Sequence, residues 1–418
     1  MKNELYINRL VEEKISSYLK IFGAICLEGP KYCGKSWIGE YFSTSQIYLS
    51  DPDQKKFVSL NLDYALEGSK PRLIDEYQTV PGVWDKVRNY VDKNSTKGIF
   101  ILTGSSTPDD SSKTHTGTGR IAKINVYTMT LTETGDSSKK VSLSAIIKNK
   151  FNFVIKPEKD IFWIIKLMIR GGFPANLSLN EKQSFIFYNN YVKNLIEEDV
   201  QKIDGVKKNI PKMNALVKSL SRNSATNILN TTLLNDVSQY DTEISKNTLP
   251  QYLESLERCN FFYRIKAFSP FNAHSKTTIR TTDKIILCDE CLGLALLNLN
   301  KDNILKQLNN FGHHFESFVL KELLAYASCI NAEIFFYKDN TYEVDAIMVL
   351  EDKSYIAFEI KLGSDEEESA IQSLKKFDKF MEGKNNKPLK LVALIGVGSV
   401  SRKVEDNLYV VSLEHFTL

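Results

Sequence analysis

Apolar residues cluster along this chain in two distinct ways, and the change between them divides it. In the first hundred residues they form short continuous runs, Ala24-Ile25-Cys26-Leu27, Leu73-Ile74 and Gly98-Ile99-Phe100-Ile101-Leu102, each followed by polar or glycine-rich residues. Such runs read as buried strands of a parallel α/β sheet. The middle of the chain changes to helical spacing. An apolar helix from Asp160 to Arg170 leads into the turn Gly171-Gly172-Phe173-Pro174, and helices are expected over Ser184–Val200, Asn214–Leu220, Thr231–Gln239 and Ser245–Cys259. The strand Phe261-Phe262-Tyr263-Arg264-Ile265 and a polar stretch from Ser269 to Thr282 complete the outline of three short helices and a β-hairpin wing. Toward the C-terminus, an amphipathic helix opening at Gly312 buries Phe315, Phe318, Val319, Leu323 and Leu324. Two strand-like runs, Tyr342–Leu350 and Tyr355–Lys361, are then split by Glu351-Asp352-Lys353-Ser354, which is a hairpin signal.

The first strand leads directly into Gly29-Pro30-Lys31-Tyr32-Cys33-Gly34-Lys35-Ser36, a complete G-x-x-x-x-G-K-[ST] loop followed by a helix-like segment. Strand, loop and helix in that order form a phosphate-binding site. Gly29 and Gly34 give the backbone freedom to wrap its N–H groups around a β-phosphate at a helix N-terminus. Lys35 is placed to reach the β/γ oxygens, and the Ser36 hydroxyl to take a position on Mg²⁺. Gly29, Pro30, Lys31, Cys33, Gly34, Lys35 and Ser36 are therefore the expected nucleotide contacts.

The run Arg72-Leu73-Ile74 ends in Asp75-Glu76, where a P-loop ATPase carries its magnesium carboxylate. Asp75 would hold the ion through water, and Glu76 would polarise the attacking water as general base. The third strand ends in Thr103-Gly104-Ser105-Ser106, so Thr103 or Ser105 is expected to sense the γ-phosphate. A polar, mobile loop from Ser105 to Gly119 would then deliver Arg120, which could stabilise transition-state charge in its own subunit or in a neighbour's. Arg88 is the competing candidate. Use of either arginine between subunits implies a homo-oligomer, and use within one chain permits a monomer.

Composition narrows the remaining choices. The 418 residues suggest roughly two to four domains, each able to bury its own core. Lys and Arg number 54 against 51 Asp and Glu, a net charge of +3, which neither advertises nor excludes a local nucleic-acid groove. The longest apolar stretch, Ile161 to Ile169, contains Lys166 and falls short of the roughly 20 residues that span a bilayer. With no signal-peptide core at the N-terminus, the expected location is cytoplasmic, with no membrane partner. The six cysteines read as reduced thiols. Cys288-Asp289-Glu290-Cys291 has apolar flanks and no second cysteine pair, which argues against zinc.

The C-terminal hairpin carries a second constellation. With its turn centred between Asp352 and Lys353, Asp345 falls nearly opposite Glu359; Glu359 and Lys361 share one face, and Asp345 lies on that same face across the strands, about 5 Å away. Two carboxylates at that spacing can share a divalent cation, and the ammonium can orient a water, as in metal-assisted phosphodiester hydrolysis. Glu316, near the start of the preceding helix, is a further candidate metal ligand.

The residues Gly29 to Ser36, Leu73-Ile74-Asp75-Glu76-Tyr77-Gln78, Leu102-Thr103-Gly104-Ser105-Ser106 and Arg170-Gly171-Gly172-Phe173-Pro174 together resemble the prokaryotic and archaeal AAA-type ATPases with a C-terminal domain of unknown function. The resemblance runs over nearly the whole chain. It implies an α/β fold: an AAA-type P-loop ATPase core at 1–140, a helical lid at 141–204, a winged-helix-like module at 205–285 and a restriction-endonuclease-like domain at 286–418. It also implies ATP and Mg²⁺ as cofactors, with Ser36, Asp75 and Glu76 in the roles argued above. Glu316, Asp345, Glu359 and Lys361 match the endonuclease-like pattern, with Val344-Asp345 where that fold usually has Pro-Asp. The last middle helix sets Lys246 and Arg258 against Glu254 and Glu257, which suits a packing module better than a DNA reader. Two expectations follow. In one, ATP hydrolysis is coupled to DNA handled by the C-terminal domain. In the other, the chain is a nucleotide-dependent switch or scaffold whose C-terminal domain only binds or packs.

Overall fold

A computed structural model describes residues 6–105, 117–203, 205–240, 242–269 and 282–418. The expected loops between Ser105 and Gly119 and between Ser269 and Thr282 therefore lie largely outside the described residues.

The buried runs become strands β1 (Ala24–Glu28), β2 (Ser45–Tyr48), β3 (Arg72–Asp75), β4 (Phe100–Gly104) and β5 (Ile121–Asn125). They form a parallel sheet in the order β2-β3-β4-β1-β5. All four positions of β3 and all five of β4 are buried, as a sheet covered on both faces requires. One face packs Ala24, Cys26, Ile74 and Leu102 against Val83 and Val87 of the Val83–Asn94 helix. The other packs Ile25, Leu27, Leu73 and Ile101 against Ile38 of the Lys35–Phe42 helix and Ile15 near the N-terminus.

The C-terminal strands belong to a larger sheet. The strands are β7 (Phe262–Ala267), β8 (Lys284–Leu287), β9 (Glu333–Lys338), β10 (Glu343–Val349), β11 (Tyr355–Gly363), β12 (Lys390–Val397), β13 (Arg402–Lys403) and β14 (Leu408–Ser412). Their order is β13-β14-β12-β11-β10-β9-β7-β8. The expected wing is thus not a free hairpin. Lys266 and Ala267 of β7 pair in parallel with Phe335 and Phe336 of β9, so the wing strands extend the C-terminal sheet.

The expected lid also divides. The short strand β6 (Val141–Ser142) pairs with β15 (Phe416–Thr417). The Ile161–Arg170 helix buries Ile164, Leu167 and Met168 in the same core as Phe315, Phe358 and Val392, because that helix is apolar on nearly every side and needs the large sheet to cover it. From Phe173 onward the chain joins a different core. There Tyr188, Tyr191 and Ile196 pack with Leu216, Leu253 and Phe262, and with Cys288 and Leu292. A boundary at 285/286 therefore cuts through one core, and residues 141–170 pack with the C-terminal sheet.

A buried polar seam joins the ATP-loop sheet to the C-terminal sheet. On the Leu308–Cys329 helix, Lys321 and Glu322 are each 1% exposed and pair at 2.6 Å. Lys321 donates to the Met129 carbonyl at 3.0 Å, and Glu322 accepts from the Leu131 N–H at 2.8 Å. Thr132 bonds both Tyr326 at 2.8 Å and Thr417 at 2.9 Å. Replacing Glu322 with Ala leaves the Lys321 ammonium buried and unpaired, at an expected cost of about 3–5 kcal/mol. The double change Lys321→Met/Glu322→Leu is expected to recover most of that loss, and urea unfolding of the three proteins measures both.

Candidate functional site

The phosphate loop turns between β1 and the Lys35–Phe42 helix, and its glycines are required by crowding. A Cβ at Gly29 would lie 2.0 Å from the Val126 carbonyl oxygen, and Gly34 has φ +102°. Lys35 is 5% exposed and folds back onto the loop, donating to the Gly29 and Pro30 carbonyls at 2.9 and 2.8 Å. These carbonyls occupy the ammonium where phosphate oxygens would.

Asp75 is the hub of the site. Its Oδ1 accepts from Ser36 Oγ and from Thr103 Oγ1, both at 2.6 Å. Thr103 Oγ1 in turn accepts from the Glu76 N–H at 3.1 Å. Glu76 follows in a left-handed conformation at φ 54°, and its carboxylate accepts from Ser105 Oγ at 2.9 Å and from the Gln78 amide. The facing hydroxyl and carboxylate of Ser36 and Asp75 are hard oxygen donors, a set that fits Mg²⁺.

A cavity of about 690 Å³ opens over this group, within the usual size range of small-molecule sites. Lys31, Gly34, Lys35, Ser36, Asp75 and Glu76 line it. Gly29, Pro30 and Cys33 do not. Gly29 and Pro30 supply the carbonyls described above, while the Cys33 thiol turns into the core and contacts the Val126 carbonyl at 3.4 Å. Lys31 reaches Asp199 at 2.6 Å, at the end of the π-helical turn Leu195–Asp199, tying the loop to the segment that follows the Gly171–Pro174 turn. Burial works against the Lys31 ammonium, but Asp199 holds its pKa above the ordinary lysine value.

Both arginine candidates lie away from the cavity. Arg120 precedes β5, and its carbonyl accepts from Ala24 N–H at the start of β1. Because β1 and β5 run parallel, this is the sheet edge opposite the phosphate loop. Arg120 and Arg88 both bind Asp92, at 2.6 and 3.1 Å. A role within the same subunit is thereby corrected by strand direction.

Sequence reasoning missed the N-terminal segment. Tyr6, Ile7 and Arg9 line the cavity together with Trp37, Met129 and Pro174. Arg9 is 7% exposed: it donates to the carbonyls of Cys33 and Tyr127, each at 2.8 Å, and pairs with Glu133 at 2.9 Å. Glu133 also closes a capping box with Thr130. The Thr-x-x-Glu spacing of 130–133 was the available signal.

At the C-terminal constellation the hairpin ladder pairs Ala346 with Phe358 and Val349 with Tyr355. It therefore centres on Asp352 itself and sets Asp345 level with Glu359. Asp345 Oδ2 accepts from the Ile360 N–H at 2.8 Å and lies 3.7 Å from Lys361 Nζ. Glu316 is engaged by Lys284, a residue absent from the expected set. The four expected residues do gather here, but not as a metal-ligand set. Among the described residues, no group of three His, Cys, Asp or Glu side chains is placed to hold a metal ion. Of the three carboxylates expected to hold a metal, Glu316 is engaged by Lys284 and Asp345 by the Ile360 N–H and Lys361, while Glu359 Oε2 has no hydrogen-bond partner. Burial and Asp345 raise Glu316 to about 7 and lift Glu359 well above the carboxylate range. Burial would lower Lys361, yet Asp345 and Glu359 raise it.

Cys288 and Cys291 are buried free thiols. Between them Asp289 accepts from the Gly172 N–H at 2.9 Å, and Glu290 pairs with His314 at 2.6 Å. The motif is a structural joint.

Three family models match successive parts of the chain. Residues 22–135 match the AAA domain family; residues 162–303 and 311–416 match two separate domains of unknown function, DUF8612 and DUF4143. An uncharacterized protein of Methanocaldococcus jannaschii is 24% identical, covering 99% of this chain and 91% of its own length. Among solved structures, the Walker-type ATPase of Pyrococcus abyssi is 12% identical, covers 68% of this chain and 94% of its own, and has a TM-score of 0.40. The Thermotoga maritima RuvB Holliday junction branch migration motor is 16% identical, covers 62% and 90%, and has a TM-score of 0.27. The AAA match over the phosphate loop supports ATP binding and an AAA-type ATPase core. Among the described residues, no helix is long and apolar enough to cross a membrane.

Replacing Lys35 with Ala removes a charge-assisted contact and is expected to weaken ATP binding by about 10- to 100-fold. Arg120→Ala is expected to leave it unchanged, and titration with a fluorescent ATP analogue measures both. The raised Glu316 carboxyl has a signed consequence. Between 4.5 and about 7 the folded chain holds a proton there that the unfolded chain releases, so stability should fall as pH rises through that window. Melting temperature against pH should show a flatter profile for Glu316→Gln.

Proposed function

We propose that the chain is a magnesium-dependent ATPase acting as a nucleotide-dependent switch, whose C-terminal domain responds to the state of the phosphate loop. One continuous buried network carries this reading. Arg9 bonds the loop carbonyl of Cys33 and pairs with Glu133; Glu133 caps the 130–134 segment; and Lys321 and Glu322 of the C-terminal helix hold Met129 and Leu131 beside it. Met129 also lines the nucleotide cavity, so displacement of that wall is felt directly by the helix.

Hydrolysis follows from the positions of this chain's own groups. Lys35 leaves the Gly29 and Pro30 carbonyls for the β/γ-phosphate oxygens, exchanging neutral acceptors for charged ones. Ser36 and Asp75 would hold magnesium, which supplies charge neutralisation to the phosphates when bound. Glu76 accepts the proton of the attacking water as general base, oriented by Ser105 and Gln78. Thr103 fixes both acids, donating to Asp75 and accepting from the Glu76 N–H, and is a positioning residue. Arg9 holds the loop through Cys33 and pairs with Glu133, and Arg88 and Arg120 lie on Asp92, so none of the three is assigned to the γ-phosphate.

Phosphate release from ATP and Mg²⁺, with and without duplex DNA, tests the proposal. Glu76→Gln should keep ATP binding and lose about 10²- to 10⁴-fold in turnover. DNA should leave the wild-type rate unchanged. Strong stimulation by DNA would replace the switch with a DNA-coupled motor, and full activity in Glu76→Gln would remove Glu76 as the base.

A further inference from the structure

The acidic cluster of the C-terminal sheet has its own internal cation. Lys284 opens β8 and is 2% exposed, which places an ammonium in the protein interior. Its Nζ contacts Glu316 Oε1, lies 5.4 Å from the centre of the Phe336 ring, and is held protonated by Glu316 and Asp345 against the effect of burial. A lysine is tolerated at such a position only when carboxylates surround it.

The charge count at this site argues against a metal. Glu316, Asp345 and Glu359 carry at most three negative charges, while Lys284 and Lys361 supply two positive ones within the same cluster. A divalent cation would have to share these carboxylates with two ammonium groups. Two of the carboxylate oxygens are engaged by protein donors instead, Glu316 Oε1 by the Lys284 ammonium and Asp345 Oδ2 by the Ile360 N–H. Glu359 Oε2 is a buried oxygen without a hydrogen-bond partner.

Lys284 reaches the cluster from another part of the chain. It belongs to the 162–303 segment, whereas the carboxylates belong to the 311–416 segment. The hairpin that carries it is fastened to the C-terminal sheet by the parallel pairing of β7 with β9. The same contact therefore neutralises the cluster and joins the two segments.

We propose that the Lys284 ammonium is the resident cation of the Glu316–Asp345–Glu359 cluster and excludes divalent metal from it, making the cluster a charge-locked joint between the middle hairpin and the C-terminal sheet. Metal-dependent phosphodiester hydrolysis is then not a property of this site.

Mn²⁺ titration of the full, nucleotide-free chain, followed by electron paramagnetic resonance of free Mn²⁺, tests the assignment. Wild type and Asp345→Asn should bind the same number of ions. Lys284→Met should bind one more per chain, and Lys284→Met/Asp345→Asn should lose it again. Lys284→Arg, which keeps the charge, should behave as wild type. A wild-type Mn²⁺ site abolished by Asp345→Asn would overturn the proposal, as would a folded Lys284→Met chain that gains no ion. Should Lys284→Met fail to fold, the comparison of wild type with Asp345→Asn decides the question alone. None of these readings depends on ATP turnover, so the outcome stands apart from that of the ATPase assay.

Discussion

An ion pair inside a protein must have every charge-bearing group satisfied, and that constraint organises this molecule. Lys321 and Glu322 lie in the seam between the two sheets, with water excluded from both. Their mutual contact does not repay the desolvation of two ions by itself. The remaining bonds come from the backbone of Met129 and Leu131, which belong to the other sheet's outgoing segment. Separating the sheets would break both backbone bonds to the pair at once. The seam therefore behaves as a rigid coupling, and the wall of the nucleotide cavity that contains Met129 is part of it.

The phosphate loop is tensioned from both sides by the same kind of bond. On one side Arg9 grips the Cys33 carbonyl, and on the other Lys31 grips Asp199. Between them Lys35 occupies its own loop carbonyls. On the proposed reading, a phosphate entering the loop would compete for Lys35 and attract Lys31, and so act on the loop's attachment to Asp199. Asp75 is fixed by Ser36 and Thr103 independently of either lysine.

Much of this was legible in the sequence because local chemistry dictated it. The phosphate loop needs its two glycines whatever surrounds it, the buried strands need continuous apolar runs, and the hairpin around Asp352 needs its polar turn. What escaped was decided by packing at a distance. Arg9 follows a segment with no motif, and its value arises only when that segment crosses the loop. Lys284 reads as an ordinary charged strand residue until β7 joins β9 and turns it inward. Arg120 failed for a different reason: β5 was not recognised, and once a parallel strand follows Arg120 the residue must sit at the edge away from the loop. The expected lid boundary failed because the apolar Ile161–Arg170 helix is covered by the larger sheet and not by the nucleotide.

On the proposed reading, the phosphate loop and the C-terminal helix form one mechanical unit. Hydrogen exchange of the Leu308–Cys329 helix, compared with and without ATP and Mg²⁺, tests it most directly. The account predicts a change in protection in the turn containing Lys321 and Glu322 that is absent in Lys35→Ala. A change confined to the loop, its own helix and the 171–199 segment, with the C-terminal helix unaltered, would contradict it.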